Sequence, residues 1–416
     1  MIRKDNNIFI RKIITVLFLL IFISGTSLAI GVRKTPIDDF KERINSIVST
    51  ISCDISVKIV STTKNDILYE YKPDLKMIPA SITKAVTSST AIYTLGSGFM
   101  FKTAVYTDDN NIQSGVINGN IYLKGFGDPD LSSNDIANLV QQLLNKNITE
   151  IKGNIIYDDS YFDDMHYGLA NYYKSDTKSQ YWPYIGAINL DKNKSYKDPA
   201  LSAAQLLSDK LTGNNIKLDG IVISGSTPAA SKELGVILRS LYDVLVNMNK
   251  PSDNQSALCV FKVVGAVYQS PPGTLNKGSD AVIDFLTTIG IDRNSFEFVE
   301  GSGLSRYNFV TADVYIKLLK YMFEDEKTFD IFFNSLPIAG VDGTLQNRMV
   351  GTEAERNVHA KTGTINNVST LTGYAITRDS EPVSFFIAMN GFGDSPKFYR
   401  DKQDEICEAI CEFSRK

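Results

Sequence analysis

The sequence is poor in the side chains on which most metal sites and many catalytic sites depend. Its 416 residues include only two histidines, His166 and His359, and four cysteines. A zinc site therefore has few candidate ligands, and a Ser-His-Asp arrangement is poorly supported. We expect the cysteines to be buried thiols or to form one disulfide rather than to bind metal. They are Cys53, Cys259, Cys407 and Cys411.

The sequence also lacks the features of a nucleic-acid-binding protein. Its net charge is −4, and no stretch interleaves basic and aromatic residues, so we expect no nucleic-acid partner. Beyond the first thirty residues no apolar run is long enough to cross a bilayer, and there are no internal repeats. At this length, with 43% hydrophobic residues, two or three packed domains are expected.

The first residues are typical of an export signal. Arg3 and Lys4 begin a positively charged start, residues 13–23 are apolar apart from one threonine, and residues 24–29 are mostly small. We predict a signal peptide over 1–29 and an exported protein, periplasmic or elsewhere in the cell envelope. The alternative is an uncleaved anchor, which leaves peripheral membrane contact open.

The rest of the chain shows two kinds of hydrophobic pattern. Helical and strand patterns occupy 30–99 and 234–416, which we predict to form one discontinuous domain. Between them, residues 100–233 contain short strand patterns separated by Gly, Asn and Asp turns, as in 121–124 and 154–157. This middle segment is predicted to be an inserted, mainly β domain.

With no histidine suited to activate a serine, lysine is the alternative base. Ser81 and Lys84 have the S-x-x-K spacing, which places both side chains on one face of a helix. The spacing also occurs elsewhere in the chain, but only Ser81 follows a proline, Pro79, and precedes an apolar helical run. A helix N-cap is the structural alternative for Ser81.

Two further short motifs carry suitable chemistry. Ser252 and Asn254 follow a proline and could relay a proton and hold a peptide amide, although a helix cap is the alternative. Lys361 begins the single Lys-Thr-Gly of the chain, which could equally be a turn. In it Gly363 would let a substrate backbone approach closely. This set of three motifs is known from β-lactamases and penicillin-binding proteins.

The chain resembles the D-alanyl-D-alanine carboxypeptidase/endopeptidase family of low-molecular-mass, class C penicillin-binding proteins. Beyond the three motifs, the resemblance rests on segments 119–131 (GNIYLKGFGDPDL), 301–306 (GSGLSR) and 336–345 (LPIAGVDGTL). It implies an α/β (α+β) transpeptidase-like domain in which helices flank an antiparallel sheet built from both ends of the chain. It implies no metal or cofactor, since serine and lysine perform the chemistry.

The resemblance also implies roles. Ser81 would attack a D-Ala-D-Ala bond or a cross-link of peptidoglycan, forming an acyl-enzyme that water hydrolyses. Lys84 would be the base, Ser252 the proton relay and Asn254 the clamp on the substrate amide. β-Lactam antibiotics would acylate the same serine.

On the Lys-Thr-Gly segment, Lys361 would support the relay and the terminal carboxylate, and Thr362 and Gly363 would contact substrate. Backbone N–H groups of Ser81 and Thr364 would form the oxyanion hole.

Recognition of a diamino side chain in the wall peptide would involve four more residues. By the same resemblance these are Asp158, Phe162, Arg306 and Asn366.

Two alternatives to the peptidase function remain, a β-lactamase-like hydrolase and a non-catalytic wall-binding protein.

Overall fold

The computed structural model describes residues 34–169 and 176–416, so the predicted signal peptide lies outside the described residues. Helices span Pro36–Val48, Thr83–Leu95, Ser133–Asn145, Pro199–Gly213, Leu241–Asn249, Asn254–Gln269, Leu275–Thr288, Ala312–Glu324, Phe329–Ser335 and Pro396–Glu412. Strands span Asp54–Ser61, Ile67–Tyr71, Met100–Thr107, Val116–Ile117, Ile121–Gly125, Glu150–Ile151, Ile155–Asp158, Lys217–Leu218, Val222–Ser224, Lys232–Ser240, Phe296–Glu297, Phe309–Val310, His359–Ile365, Val368–Ile376 and Pro382–Asn390.

The two ends of the chain form one antiparallel five-stranded sheet, which we call the terminal sheet. Its order is His359–Ile365, Val368–Ile376, Pro382–Asn390, Asp54–Ser61 and Ile67–Tyr71. Alternate side chains of its strands enter two hydrophobic cores, one on each face. The predicted antiparallel sheet with flanking helices is confirmed. The Lys-Thr-Gly motif lies on an edge strand of this sheet.

The helix that follows Ser81 is buried along most of its length. Its first ten residues, Thr83 to Ile92, are all buried, and it packs on the helices Asn254–Gln269 and Leu275–Thr288. Small hydroxyl residues suit this position because they allow close packing and bond to carbonyls one turn back. Ser88 and Ser89 do so at 2.7 and 2.9 Å. The helix ends at Leu95, and Gly96 is its C-cap residue with φ +82°.

The middle of the chain forms a second five-stranded sheet with a hydrophobic core of its own. Its strand Lys232–Ser240 pairs along Met100–Thr107, and the predicted border at 233/234 falls inside that strand. We therefore propose an inserted domain of 100–240. It also holds the helices Ser133–Asn145 and Pro199–Gly213, which the expectation of a mainly β domain did not locate.

The four cysteines are free thiols, three of them buried and Cys53 partly so, which selects the first of the two alternatives drawn from the sequence. In the described residues, no helix has the length and apolar character needed to span a bilayer.

Candidate active site

The three predicted motifs meet at one place. Ser81 lies in a short 3-10 turn, Ala80–Ile82, immediately before the helix that carries Lys84. Ala80 is buried with φ +49°, in the left-handed region that non-glycine residues seldom adopt. The surrounding contacts must hold this backbone, as is often the case at functional turns. Ser81 is thus placed on a turn rather than inside the predicted helix.

Lys84 is fully buried and has three oxygen neighbours. Its Nζ lies 3.0 Å from Ser81 Oγ, 2.7 Å from Asn254 Oδ1 and 2.7 Å from the carbonyl oxygen of Ser302. Burial lowers the pKa of Lys84 to about 8, against the pull of the nearby carboxylates of Glu300 and Asp253. A partly neutral amine therefore lies in hydrogen-bonding contact with the serine hydroxyl.

Lys361 is also fully buried, and its amine points to the second motif. Its Nζ donates to Ser252 Oγ at 2.9 Å and to the carbonyl of Thr362 at 3.0 Å. Burial, and then the charge of Lys84, lower the pKa of Lys361 well below its usual value. Ser252 has φ +62°. Two buried lysines thus each contact one serine hydroxyl.

Segment 336–345 supports the loop before Ser252. The Thr344 N–H donates to the carbonyl of Lys250 at 3.0 Å, and Lys250 Nζ binds the Asp342 carboxylate at 2.8 Å. Thr344 Oγ1 also accepts from Thr362 Oγ1 at 2.7 Å. This segment therefore joins the Ser252 loop to the Lys-Thr-Gly strand.

Glycine is required where the motifs touch. A Cβ on Gly363 would lie 3.0 Å from the Ser81 backbone nitrogen and 2.7 Å from the carbonyl oxygen of Pro79. A Cβ on Gly303 would lie 1.9 Å from the carbonyl oxygen of Ala80. The Ser81 turn is therefore held between the Lys-Thr-Gly strand and segment 301–306.

Glu300 is an important residue that the sequence reasoning missed. Its buried carboxylate accepts from the backbone N–H groups of Ser302, Gly303 and Ser305, and from the Ser302 hydroxyl and the Asn308 amide. It thereby fixes the loop whose Ser302 carbonyl binds Lys84. Its position directly before the quoted GSGLSR segment is the signal that could have found it.

Two adjoining cavities lie where the motifs meet, and Ser81 lines the second of them. The first, about 700 Å³, we call the acyl-side cavity, and it is lined by Asp176, Thr177, Lys178, Tyr181, Asn254, Leu304, Arg306, Thr364, Ile365 and Asn366. The second, about 340 Å³, we call the leaving-group cavity, and it is lined by Ser81, Ser252, Thr344, Arg348, Thr362, Thr364 and Arg400. Thr364 lines both, so they adjoin at the Lys-Thr-Gly strand.

Of the four residues expected to recognise a side chain, two reach the acyl-side cavity. Arg306 and Asn366 line it, and Arg306 Nη1 donates to the Asn366 carbonyl at 2.9 Å. Asp158 and Phe162 are not among its lining residues. Asp158 is fully buried in the inserted domain. Burial alone would raise the pKa of its carboxyl group, but hydrogen bonds from Ser160, Thr227 and Lys124 lower that pKa to about 2.

Phe162 packs in the main core with its ring 5.4 Å from Lys262 Nζ, and the carboxylate that lines the cavity is Asp176. Placing Asp158 and Phe162 there is therefore corrected, because burial commits both side chains to other contacts.

The fold and the convergence of these motifs define a serine hydrolase of the penicillin-binding class. The family model of the D-Ala-D-Ala carboxypeptidase 3 (S13) family matches residues 49–197 and 193–411, and the chain belongs to this family. The predicted family, fold class and general activity, a serine peptidase that acts on peptidoglycan, are confirmed.

Similar proteins cover most of the chain. D-alanyl-D-alanine carboxypeptidase DacB of Haemophilus influenzae is 26% identical over 402 residues, covering 79% of this chain and 84% of the relative. D-alanyl-D-alanine carboxypeptidase of Actinomadura sp. strain R39 is 26% identical over 474 residues, covering 93% and 86%. The crystal structure of penicillin binding protein 4 from H. influenzae matches the fold with a TM-score of 0.76 at 24% identity, covering 87% of this chain and 98% of that one. A second structure of that protein is complexed with a β-lactam.

The contact of Gly303 with the Ser81 turn gives the first prediction. Gly303→Ala should slow acylation of Ser81 by a labelled penicillin and lower thermal stability. The new methyl group would overlap the Ala80 carbonyl, and alanine is strained at φ +81°. Gly290→Ala is the control, because it has the same backbone strain, φ +80°, with nothing within 4 Å. Equal acylation rates for the two variants would contradict the prediction.

Proposed function

We propose that the chain hydrolyses D-Ala-D-Ala ends or cross-links of peptidoglycan through a Ser81 acyl-enzyme. The observation that carries the proposal is the 3.0 Å contact between the buried Lys84 amine and Ser81 Oγ. The neutral amine donates its two N–H groups to Asn254 Oδ1 and to the Ser302 carbonyl. Its lone pair is then free to accept the proton of the Ser81 hydroxyl.

After attack, the developing oxyanion needs backbone donors. We assign the N–H groups of Ser81 and Thr364, supported by the close passage of the Lys-Thr-Gly strand beside the Ser81 turn. Asn254, whose side chain already contacts Lys84, also lines the acyl-side cavity and would hold the substrate amide.

The leaving amine must then receive a proton. Ser252 lines the leaving-group cavity together with Ser81, and Lys361 donates to it at 2.9 Å. We assign Ser252 as the relay and Lys361 as the group that orients it and keeps it polarised. Thr362 and Gly363 would contact substrate along the strand edge.

The acyl-side cavity would take the side chain of the wall peptide. Arg306, Lys178, Asp176 and Asn366 give it both signs of charge and an amide. This lining suits a side chain that itself carries polar and charged groups. A β-lactam would enter by the same route and acylate Ser81, as the complex of the H. influenzae protein with a β-lactam suggests for that protein. We also propose an extracytoplasmic location, in keeping with the signal predicted over 1–29.

The base is tested by Lys84→Ala. We expect loss of acylation by a labelled penicillin with the fold retained, since no other described side chain amine contacts Ser81 Oγ. The measurement is fluorescent labelling of the intact protein, with circular dichroism as the check on folding. Ser81→Ala, which removes the nucleophile, sets the background level. Normal labelling of Lys84→Ala would refute the assignment.

The pKa of Lys84 makes acylation depend on pH. Because the base acts in its neutral form and its pKa is about 8, the rate should rise about tenfold per pH unit below that value and level off above it. The test is the second-order rate of penicillin acylation between pH 6 and 9. A flat profile over that range would exclude Lys84 as the titrating base.

The reaction itself is tested with a defined cross-linked wall fragment. Mass analysis should show loss of terminal D-Ala, cleavage of the cross-link or both, and Ser81→Ala should do neither. The ratio of the two products gives the balance between carboxypeptidase and endopeptidase activity. A wild-type protein that is acylated by penicillin but leaves every fragment intact would contradict the proposed reaction.

A further inference from the structure

The proposed reaction requires a cation in the leaving-group cavity. The residue released from a D-Ala-D-Ala end carries a free carboxylate next to the amine that leaves. Since Ser252 would protonate that amine, the carboxylate must lie in the same cavity. This argument rests on the proposed function.

Lys361, the cation expected from the sequence to meet this carboxylate, lies behind Ser252 and does not line the cavity. Its side chain is fully buried, its Nζ donates to Ser252 Oγ and to the Thr362 carbonyl, and it is not among the lining residues. Its burial also disfavours the charged form. Lys361 therefore serves Ser252 rather than the substrate carboxylate.

Two arginines do line the cavity, and one of them is already neutralised. Arg348 donates to Asp404 Oδ1 through Nε at 2.9 Å and through Nη2 at 2.7 Å, and Nη2 also reaches Gln403 Oε1 at 3.1 Å. Its guanidinium is thus bound to a carboxylate of the helix Pro396–Glu412.

Arg400 is different. It lies on the same helix, is exposed, and within the described ranges its guanidinium has no hydrogen bond or ion pair. The acidic residues that follow it are engaged, Asp401 with Lys397 and Asp404 with Arg348. The Asp404 carboxylate interacts electrostatically with Arg400 but is bound directly by Arg348. An exposed guanidinium that is not itself hydrogen-bonded among the described residues therefore lines the cavity that contains Ser81 and Ser252.

We propose that Arg400 binds the α-carboxylate of the leaving residue and so determines the preference for substrates with a free carboxylate there. A guanidinium suits the task because its planar N–H groups pair with both carboxylate oxygens. The carboxylate of a penicillin would use the same contact. Arg400 is thus a specificity-determining residue, and the base and relay remain Lys84 and Ser252.

The test compares two peptides that end in D-Ala-D-Ala, one with a free carboxylate and one with a carboxamide. Arg400→Gln should lower kcat/KM for the acid roughly tenfold to a hundredfold, the range for a lost charge-assisted contact, and leave the amide unchanged. Arg400→Lys should recover part of the preference because it keeps the charge.

The matched control is Lys397→Gln. It removes one positive charge from the same helix, but Lys397 is not among the residues lining the cavity and pairs with Asp401. It should retain the wild-type preference. Equal losses on acid and amide in Arg400→Gln, no loss in either, or the same change in Lys397→Gln would each overturn the proposal.

A second pair of probes keeps the proposal separate from the peptidase reaction. Acylation of Ser81 by benzylpenicillin and by its uncharged methyl ester should differ in the wild type and converge in Arg400→Gln. If the wild-type protein cleaves neither peptide yet is acylated, the peptidase reaction fails, and the penicillin pair alone decides on Arg400. Unchanged discrimination in that pair would overturn it.

Discussion

The whole site depends on the burial of one amine. Lys84 has no solvent exposure, and the lowering of its pKa from 10.5 to about 8 is a net bias of about 3 kcal/mol against the charged amine. Three oxygens from three separate parts of the chain compensate for the lost water: Ser81 Oγ, Asn254 Oδ1 and the Ser302 carbonyl. Their contacts bring the turn, the second motif and the GSGLSR segment together. No single local motif supplies all three oxygens, so the geometry of the site depends on the tertiary fold.

Glu300 affects the Lys84 amine in two ways, through the Ser302 carbonyl that it holds and through its own negative charge. Burial raises the pKa of the carboxyl group, whereas its donors and the nearby Lys84 favour the ionised form. The ionised form is the one that five N–H and O–H donors can satisfy, because a carboxylate only accepts. Its negative charge in turn moderates the loss of charge on Lys84. The same group therefore holds the Ser302 carbonyl in place and limits how far burial lowers the pKa of the lysine.

Much of this arrangement could be predicted from the sequence, because it is encoded in short motifs. The S-x-x-K spacing, the Ser-Asn pair and the Lys-Thr-Gly segment located Ser81, Lys84, Ser252 and Lys361. The effects of tertiary packing on backbone conformation and on burial could not be predicted from these motifs. The left-handed Ala80 moves Ser81 out of the helix and onto a turn. Asp158 and Phe162 have suitable chemistry, but burial in the inserted domain and the core commits them elsewhere. Spacing cannot tell a buried carboxylate from one that lines a cavity.

In the proposed reaction, Lys84, Lys361 and Arg400 divide work that a single type of cation could not do. A lysine that must give and take protons has to be buried, since burial brings its pKa down, and a buried amine is bound by protein oxygens. A group that binds a substrate carboxylate must remain charged and accessible. A guanidinium keeps its charge under nearly all conditions, so Arg400 can line the cavity without losing its proton, whereas the pKa values of the two lysines are lowered. The separation of Lys84 and Lys361 inside from Arg400 outside follows from these opposed requirements.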